Sequence, residues 1–247
     1  MNQVSSPPAA SLDEVIRTVL DGERGELPGY VRRTKDQLGK PPWDQAFFDG
    51  CRRSLHALLG GHDDTGVLQV CSPGRDEDRA SVAAAMALWL CRTYGDRVAL
   101  LDLDFTGGEL AGLFGADAAP GLAEWLEQGK RLRFLIGGSN RLLHLVPAGE
   151  PARDPAWLYR DVAQRQVVET FHRHFPWVVV NMPPLVDEPS AALLAPLAEW
   201  HMLVGRYRRT LVRDLEEVAG KLQHGRATGF VITGYRSRVP AWIRRLI

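Results

Sequence analysis

Val67 to Ser81 reads VLQVCSPGRDEDRAS, the form of a strand, a tight turn and the start of a helix. Such a turn cradles phosphate when it reads G-x-x-x-x-G-K-[ST]. The second glycine lets the backbone approach, the lysine pairs the β- and γ-phosphates, and the hydroxyl binds magnesium. Here Gly74 stands at the first glycine, Asp78 at the second, Arg79 at the lysine and Ala80 at the hydroxyl. The chemistry to look for is phosphate binding, and the side chains that perform it are mostly replaced. A carboxylate ~4 Å from a phosphate charge costs about 4 kcal/mol at an effective dielectric of ~20, roughly a thousandfold in affinity. Asp78 brings such a carboxylate, and Asp76 and Glu77 make the turn more acidic still. Arg79 keeps a positive charge, but a planar fork does not reproduce a compact ammonium. Ala80 offers magnesium no hydroxyl; Ser81 keeps one that could touch an α-phosphate. No Gly-Lys-Ser or Gly-Lys-Thr occurs elsewhere in the chain.

Asp102 and Asp104 follow the apolar run Val98–Leu101, at the strand edge where open α/β sheets bind ligands. Acidic residues there either support a metal or cap the following turn, and the sequence leaves both open. Asn181 lies in a second apolar run, Trp177-Val-Val-Val-Asn-Met-Pro-Pro184. Other signals are weaker. His172 and His174 lack an evident third ligand and read as a helix end. Arg206-Tyr207-Arg208-Arg209 follows a strand near the ligand edge, as a contact for an acidic group or as a solvated face. Gly137 to Asn140 is a turn before a strand, with no helix after it to hold an anion.

These residues need a scaffold. From Val67 onward, apolar runs at 67–71, 98–101, 142–147, 177–180, 200–204 and 229–232 alternate with helical periods at 79–93, 120–128, 155–174, 189–197 and 209–223. Short buried strands separated by helices imply a parallel sheet covered on both faces. Upstream, residues 1–10 are polar and proline-rich, the pattern of a flexible segment. Ser11 to Glu14 matches a capping box before a short helix ending near Gly22. Residues 23–42 read as a linker, and Trp43–Leu59 as a helix stopped by Gly60-Gly61. The expected organisation is a flexible N-terminal extension with a short helix over 1–42 and one α/β domain over 43–247.

The chain has 247 residues, 45% of them hydrophobic, enough for one large domain. Its formal net charge is zero, so no global field favours nucleic acid or an anionic membrane. Three widely spaced cysteines without metal spacing point to reduced, buried thiols. No long apolar span or leader pattern is found, and the expected location is cytoplasmic. In the last residues, Val239, Trp242, Ile243 and Leu246 fall on one helical face, flanked by Arg236, Arg238, Arg244 and Arg245. A basic amphipathic helix of that kind lies on a membrane, docks in a partner's groove or packs on its own domain.

Five blocks, SPGRDEDRAS, LLDLD, LFG, LVPAG and VVVNMPP, occur in this order. Together they resemble the bacterial tyrosine kinase and capsule-assembly branch of the ParA/MinD-type P-loop ATPases. The resemblance runs from about Trp43 to Ile232. It implies a three-layer α/β P-loop NTPase-like domain with a mostly parallel central sheet, preceded by an N-terminal helical extension. In that branch the blocks read S-x-G-x-G-E-G-K-S-T, LLIDAD with LFG, LPAG and V-I-I-D-T-P-P. Only Asp102 and Asp104 stand here as the family has them. Asn181 replaces the Walker B aspartate, and the base-reading asparagine falls near Thr233. The branch's tyrosine-rich tail is represented by Tyr235 alone, so tail phosphorylation is not expected. Gln45 to Arg53 matches the ring-forming N-terminal motif only in part.

The resemblance and its departures lead to one expectation: a degenerate nucleotide pocket formed by Gly74, Asp78, Arg79, Ala80, Ser81, Asp102, Asp104, Asn181 and Thr233. No cofactor is expected, with Mg-ATP held by Arg79, Asp102 and Asp104 as the alternative. The implied role is a pseudokinase or adaptor in exopolysaccharide or capsule biosynthesis. It would bind the cytoplasmic segment of a Wzz-type inner-membrane polysaccharide co-polymerase, with homo-oligomers and peripheral membrane association open and no nucleic-acid partner. Trp242, Ile243, Arg244, Arg245 and Leu246, with the helix over 43–59, are its candidate contacts. An atypical active ATPase or kinase and a ParA/MinD-like positioning factor are the alternatives.

Overall fold

A computed structural model describes residues 11–22, 31–33, 43–60, 65–138, 141–223 and 225–235. Residues 1–10, most of the segment read as a linker, and the tail with Trp242, Ile243, Arg244, Arg245 and Leu246 lie outside the described residues.

The chain runs α1 (Leu12–Gly22), β1 (Val31–Arg33), α2 (Gln45–Leu59), β2 (Gly66–Ser72), α3 (Arg79–Tyr94) and β3 (Val98–Asp102). It continues through α4 (Glu109–Leu113), α5 (Leu122–Gln128), β4 (Phe134–Gly137), β5 (Leu143–Val146), α6 (Pro155–Gln164) and α7 (Val167–His174). Then come β6 (Trp177–Pro184), a 3₁₀ helix (Pro189–Leu197), β7 (Trp200–Arg206), α8 (Val212–Lys221) and β8 (Ala227–Thr233). The strands form one sheet in the order β1-β4-β5-β3-β6-β2-β7-β8. Every pairing is parallel except β4 with β5. Helices cover both faces, giving a three-layer α/β fold.

Every residue of the central strands β2, β3 and β6 is buried, which is why their sequences are mostly apolar without alternation, broken by Gln69, Ser72, Asp102 and Asn181. One core lies under α1, α5, α6, α7, the 3₁₀ helix and α8; the other lies under α2, α3 and α4. α3 is buried on nearly all sides, and its alanines 80, 83, 84, 85 and 87 let it lie close to the sheet. Trp177 and Trp200, ring centroids 5.4 Å apart, begin β6 and β7 in that same core. α2 starts at Asp44, whose carboxylate accepts the Phe47 N–H at 2.8 Å, and stops at Gly60 in the left-handed region.

The segment matching LPAG has a local explanation. The buried Glu124 carboxylate accepts the backbone N–H groups of Gly121 (2.7 Å) and Glu150 (3.0 Å). Gly149 has φ +105, and a Cβ on it would collide with that carboxylate, so glycine is required there.

Several elements differ from the sequence expectation. The helix over α1 packs into the body of the protein: Ile16 and Val19 are fully buried, and His174 Nε2 lies 2.8 Å from Asp13. β1 lies inside the segment read as a linker. The period over 155–174 is two helices, because Gln166 takes φ 51 and breaks the run. The segment over 189–197 is 3₁₀, with Pro196 inside it removing an α-helical donor. β4 is missed because four residues before a turn carry too little pattern to read as a strand.

Candidate functional site

Parallel strand order brings the chemistry-bearing residues to one end of the sheet. β6 lies between β3 and β2, and its register sets Asn181 directly beside Asp102. The turn after β2 and the end of β3 flank it. This is the strand-end crevice where open α/β sheets bind ligands.

Arg79, the first residue of α3, does not point to solvent. It is 4% exposed, and its guanidinium lies in the crevice. Nη2 donates to Asp104 Oδ2 at 2.6 Å, Nη1 to Ser72 Oγ at 2.8 Å and Nε to Asn181 Oδ1 at 3.1 Å. Asn181 Nδ2 in turn donates to Asp102 Oδ1 at 2.8 Å, and the Asp104 backbone N–H donates to the same oxygen. The other Asp104 oxygen accepts from the backbone and hydroxyl of Thr106. The cation, the two carboxylates and the amide thus form one connected buried network.

The turn is also satisfied from within. The Glu77 carboxylate folds back over Gly74, close enough that a Cβ there would meet both of its oxygens, and so occupies space beside the turn that a phosphate would need. Glu77 Oε1 also accepts the Thr210 hydroxyl at 3.0 Å. Burial pushes the Glu77 carboxyl up, and hydrogen bonding, first from Thr210, opposes that shift. Asp78 sits at φ 60, the left-handed conformation the motif normally gives to glycine. Aspartate is among the few residues that tolerate it.

Each expected pocket residue has a definite place. Counted back from Arg79 through G-x-x-x-x-G-K, the first glycine position falls on Pro73, so Gly74 follows that position. Ala80 is buried and Ser81 half-buried in the first turn of α3. Asp102 is wholly buried, and its carboxyl is pushed up to about 7, first by burial, with the Asn181 hydrogen bond opposing and the Asp104 charge adding to it. Thr233 ends β8 and donates its hydroxyl to the Glu77 carbonyl at 3.0 Å, tying the turn to the last strand. Ser72, Thr106 and Thr210 belong to the same arrangement and were not singled out from the sequence. Thr210 has no local signal, since its partner is 133 residues away.

The basic run after β7 meets acidic groups of its own chain. Arg206 donates to the Asp76 carbonyl at 2.7 Å and stands 3.7 Å from Asp78, while Arg209 reaches the Asp76 carboxylate at 3.1 Å. Two of its arginines pair with the acidic turn while keeping much of their surface in solvent. Exposed pairs of this kind contribute about 0–1 kcal/mol. The double variant Arg206→Ala/Arg209→Ala is therefore expected to lower global stability by about 1 kcal/mol while speeding amide exchange over residues 74–78. Unchanged exchange there would show that the clamp does not order the turn.

Among the described residues, no group of three or more His, Cys, Asp or Glu is placed to hold a metal ion, and His172 and His174 end α7. No described helix is long and apolar enough to cross a membrane.

No protein-family model matches the chain. It is 29% identical over 188 residues to EpsB of Ralstonia solanacearum, which carries a tyrosine-protein kinase name, across 73% of this chain and 24% of that protein. It is 26% identical over 179 residues to the tyrosine-protein kinase CpsD of Streptococcus agalactiae, across 70% of this chain and 76% of CpsD. The kinase domain of Escherichia coli ETK superposes with a TM-score of 0.63 at 19% identity, covering 76% of this chain and 75% of that domain. The chain is a homologue of the bacterial tyrosine kinases. It has their P-loop NTPase fold and spans about a quarter of EpsB. Within that family fold, the Arg79–Asp104–Asn181–Asp102 network occupies the crevice at the end of β2, β3 and β6.

Proposed function

We propose that this chain is a catalytically degenerate relative of the bacterial tyrosine kinases, acting as a pseudokinase or adaptor in exopolysaccharide or capsule biosynthesis. One observation carries the reading. The only cation at the lysine position of the loop is Arg79, and its guanidinium is committed to Asp104, Ser72 and Asn181. A phosphate entering the turn would have to displace an internal ion pair and meet the Asp76, Glu77 and Asp78 carboxylates without gaining a magnesium hydroxyl. The polysaccharide role and its partner, the cytoplasmic segment of a Wzz-type inner-membrane co-polymerase, rest on resemblance to the capsule-assembly branch.

Thermal unfolding with Mg-ATP and Mg-ADP tests the reading. A ligand at 100 times its Kd stabilises a fold by about 2.7 kcal/mol, roughly 5–10 °C for a chain of this size. No shift is expected at millimolar nucleotide. A saturable rise in Tm that disappears in Arg79→Ala would instead support an atypical ATPase with Arg79 in the lysine role. The partner is tested by co-purification with the co-polymerase segment, where a stoichiometric complex is expected.

A further inference from the structure

β8 is the last strand of the sheet, and no other strand among the described residues pairs with its outer edge. An open edge is a row of unpaired N–H and C=O groups, and natural sheets blunt it with lysine, proline, a bulge or a covering element. β8 has none of the sequence devices: Ala227-Thr-Gly-Phe-Val-Ile-Thr233 holds no charge and no proline. Its pairing to β7 is continuous, from Trp200 opposite Ala227 to Arg206 opposite Thr233, with no bulge to twist the edge away.

The two faces of the strand differ. Ala227, Gly229, Val231 and Thr233 point toward α2, and Val231 is buried there. Thr228, Phe230 and Ile232 point to the opposite face, where Val218 and Leu222 at α8 are buried but β8 is left largely bare. Phe230 is 53% exposed and Ile232 52%. Ile232 and Leu215 both border Gly205, each 3.3 Å from where a Cβ there would sit, so the bare strip runs alongside α8, at whose start Leu211 and Val212 are also exposed.

We propose that β8 pairs antiparallel with β8 of a second copy of this chain, across a two-fold axis at Phe230, to give one sheet continuous through a dimer. The strand favours itself as partner for two reasons. It carries no charge that would repel its own copy or select a charged peptide. Its outward pattern is also self-complementary: Phe230 meets the partner's Phe230, while Thr228 meets the partner's Ile232, pairs close enough to interact across strands. Each copy contributes one bare strip bordered by one α8, so pairing closes a single apolar trough between the two helices. One strand pairing is a small interface, so the dimer is weak and concentration-dependent. The proposal is independent of whether the crevice binds nucleotide.

The test uses the full chain. Sedimentation of the wild type is expected to show a reversible monomer–dimer equilibrium. Phe230→Lys puts two like charges at the axis without disturbing a buried site, and should raise the dissociation constant at least about tenfold with Tm unchanged. Phe230→Cys reads the register. It should form an intermolecular disulfide on mild oxidation, while Thr228→Cys should not, because residue 228 faces residue 232. The native Cys51, Cys71 and Cys91 are buried and do not compete. A strictly monomeric wild type at about 200 µM, a dimer insensitive to Phe230→Lys, or equal cross-linking at 228 and 230 would each overturn the proposal.

Discussion

Replacing Arg79 with alanine is expected to cost about 3–5 kcal/mol of folding stability, the usual penalty for removing one partner of a buried charge pair. Arg79 and Asp104 are 4% and 2% exposed, and the substitution strands Asp104 Oδ2 and Asn181 Oδ1 together, while Ser72 Oγ keeps only its bond to the Gly74 carbonyl. For a chain of this size the loss corresponds to a drop in Tm of roughly 6–20 °C. Arg79→Lys is expected to lose almost as much, because an ammonium cannot reach three acceptors in the planar arrangement the guanidinium meets. A binding residue kept for phosphate would behave differently, since its removal would cost affinity with little stability. Denaturant unfolding of both variants checks the expectation, and a loss under about 1 kcal/mol would show that the guanidinium does not hold the crevice together.

Asp102 is expected to make stability fall as pH rises from about 4 to 7. Its Oδ1 is occupied by Asn181 and the Asp104 N–H, while Oδ2 has no hydrogen-bond partner. Burial raises its carboxyl from 3.8 to about 7. Below pH 4 the group is protonated in both states and costs nothing. As pH rises, the unfolded chain ionises first while the folded chain keeps its proton, so stability declines until the folded carboxyl titrates near 7 and then levels. A displacement of about three units is worth on the order of 4 kcal/mol. Asp102→Asn keeps the acceptor for Asn181 and removes the titration. It should therefore be no more stable than wild type at pH 4 but more stable at pH 8. Unfolding free energies measured at both pH values decide it, and parallel pH profiles for the two proteins would sink the argument.

Most of the sheet was legible because its central strands are buried on both faces. The runs at 98–101 and 177–180 are apolar throughout and 67–71 is broken only by Gln69, and the structure extends them only by a few residues into β2, β3 and β6. α3 was equally plain: the period over 79–93 is the helix Arg79–Tyr94, which the structure ends at Gly95, whose N–H reaches the Cys91 carbonyl. Short or irregular elements were not. β4 has four residues and pairs antiparallel to β5, and nothing within Phe134–Gly137 distinguishes it from the end of a loop. The break at Gln166 depends on one residue entering a left-handed conformation that its side chain does not advertise.

The crevice divides in the same way. Residue types alone established that the turn at 72–81 lacks the glycine, lysine and hydroxyl of a phosphate loop, and that Asp102 and Asp104 follow a buried strand. These are local facts, fixed by identity and spacing. What Arg79 does with its charge was not local. It depends on Asp104, Asn181 and Ser72, which reach it only because β6 inserts between β2 and β3 in a register that sets Asn181 beside Asp102. The basic run after β7 is the counterpart case: its charges were visible in sequence, but their partners, Asp76 and Asp78, lie about 130 residues upstream. Sequence alone determined which groups were lost from the loop. The packing of parallel strands decided what filled their place, because a buried cation must be paired within the fold, and only the fold says which acceptors are within reach.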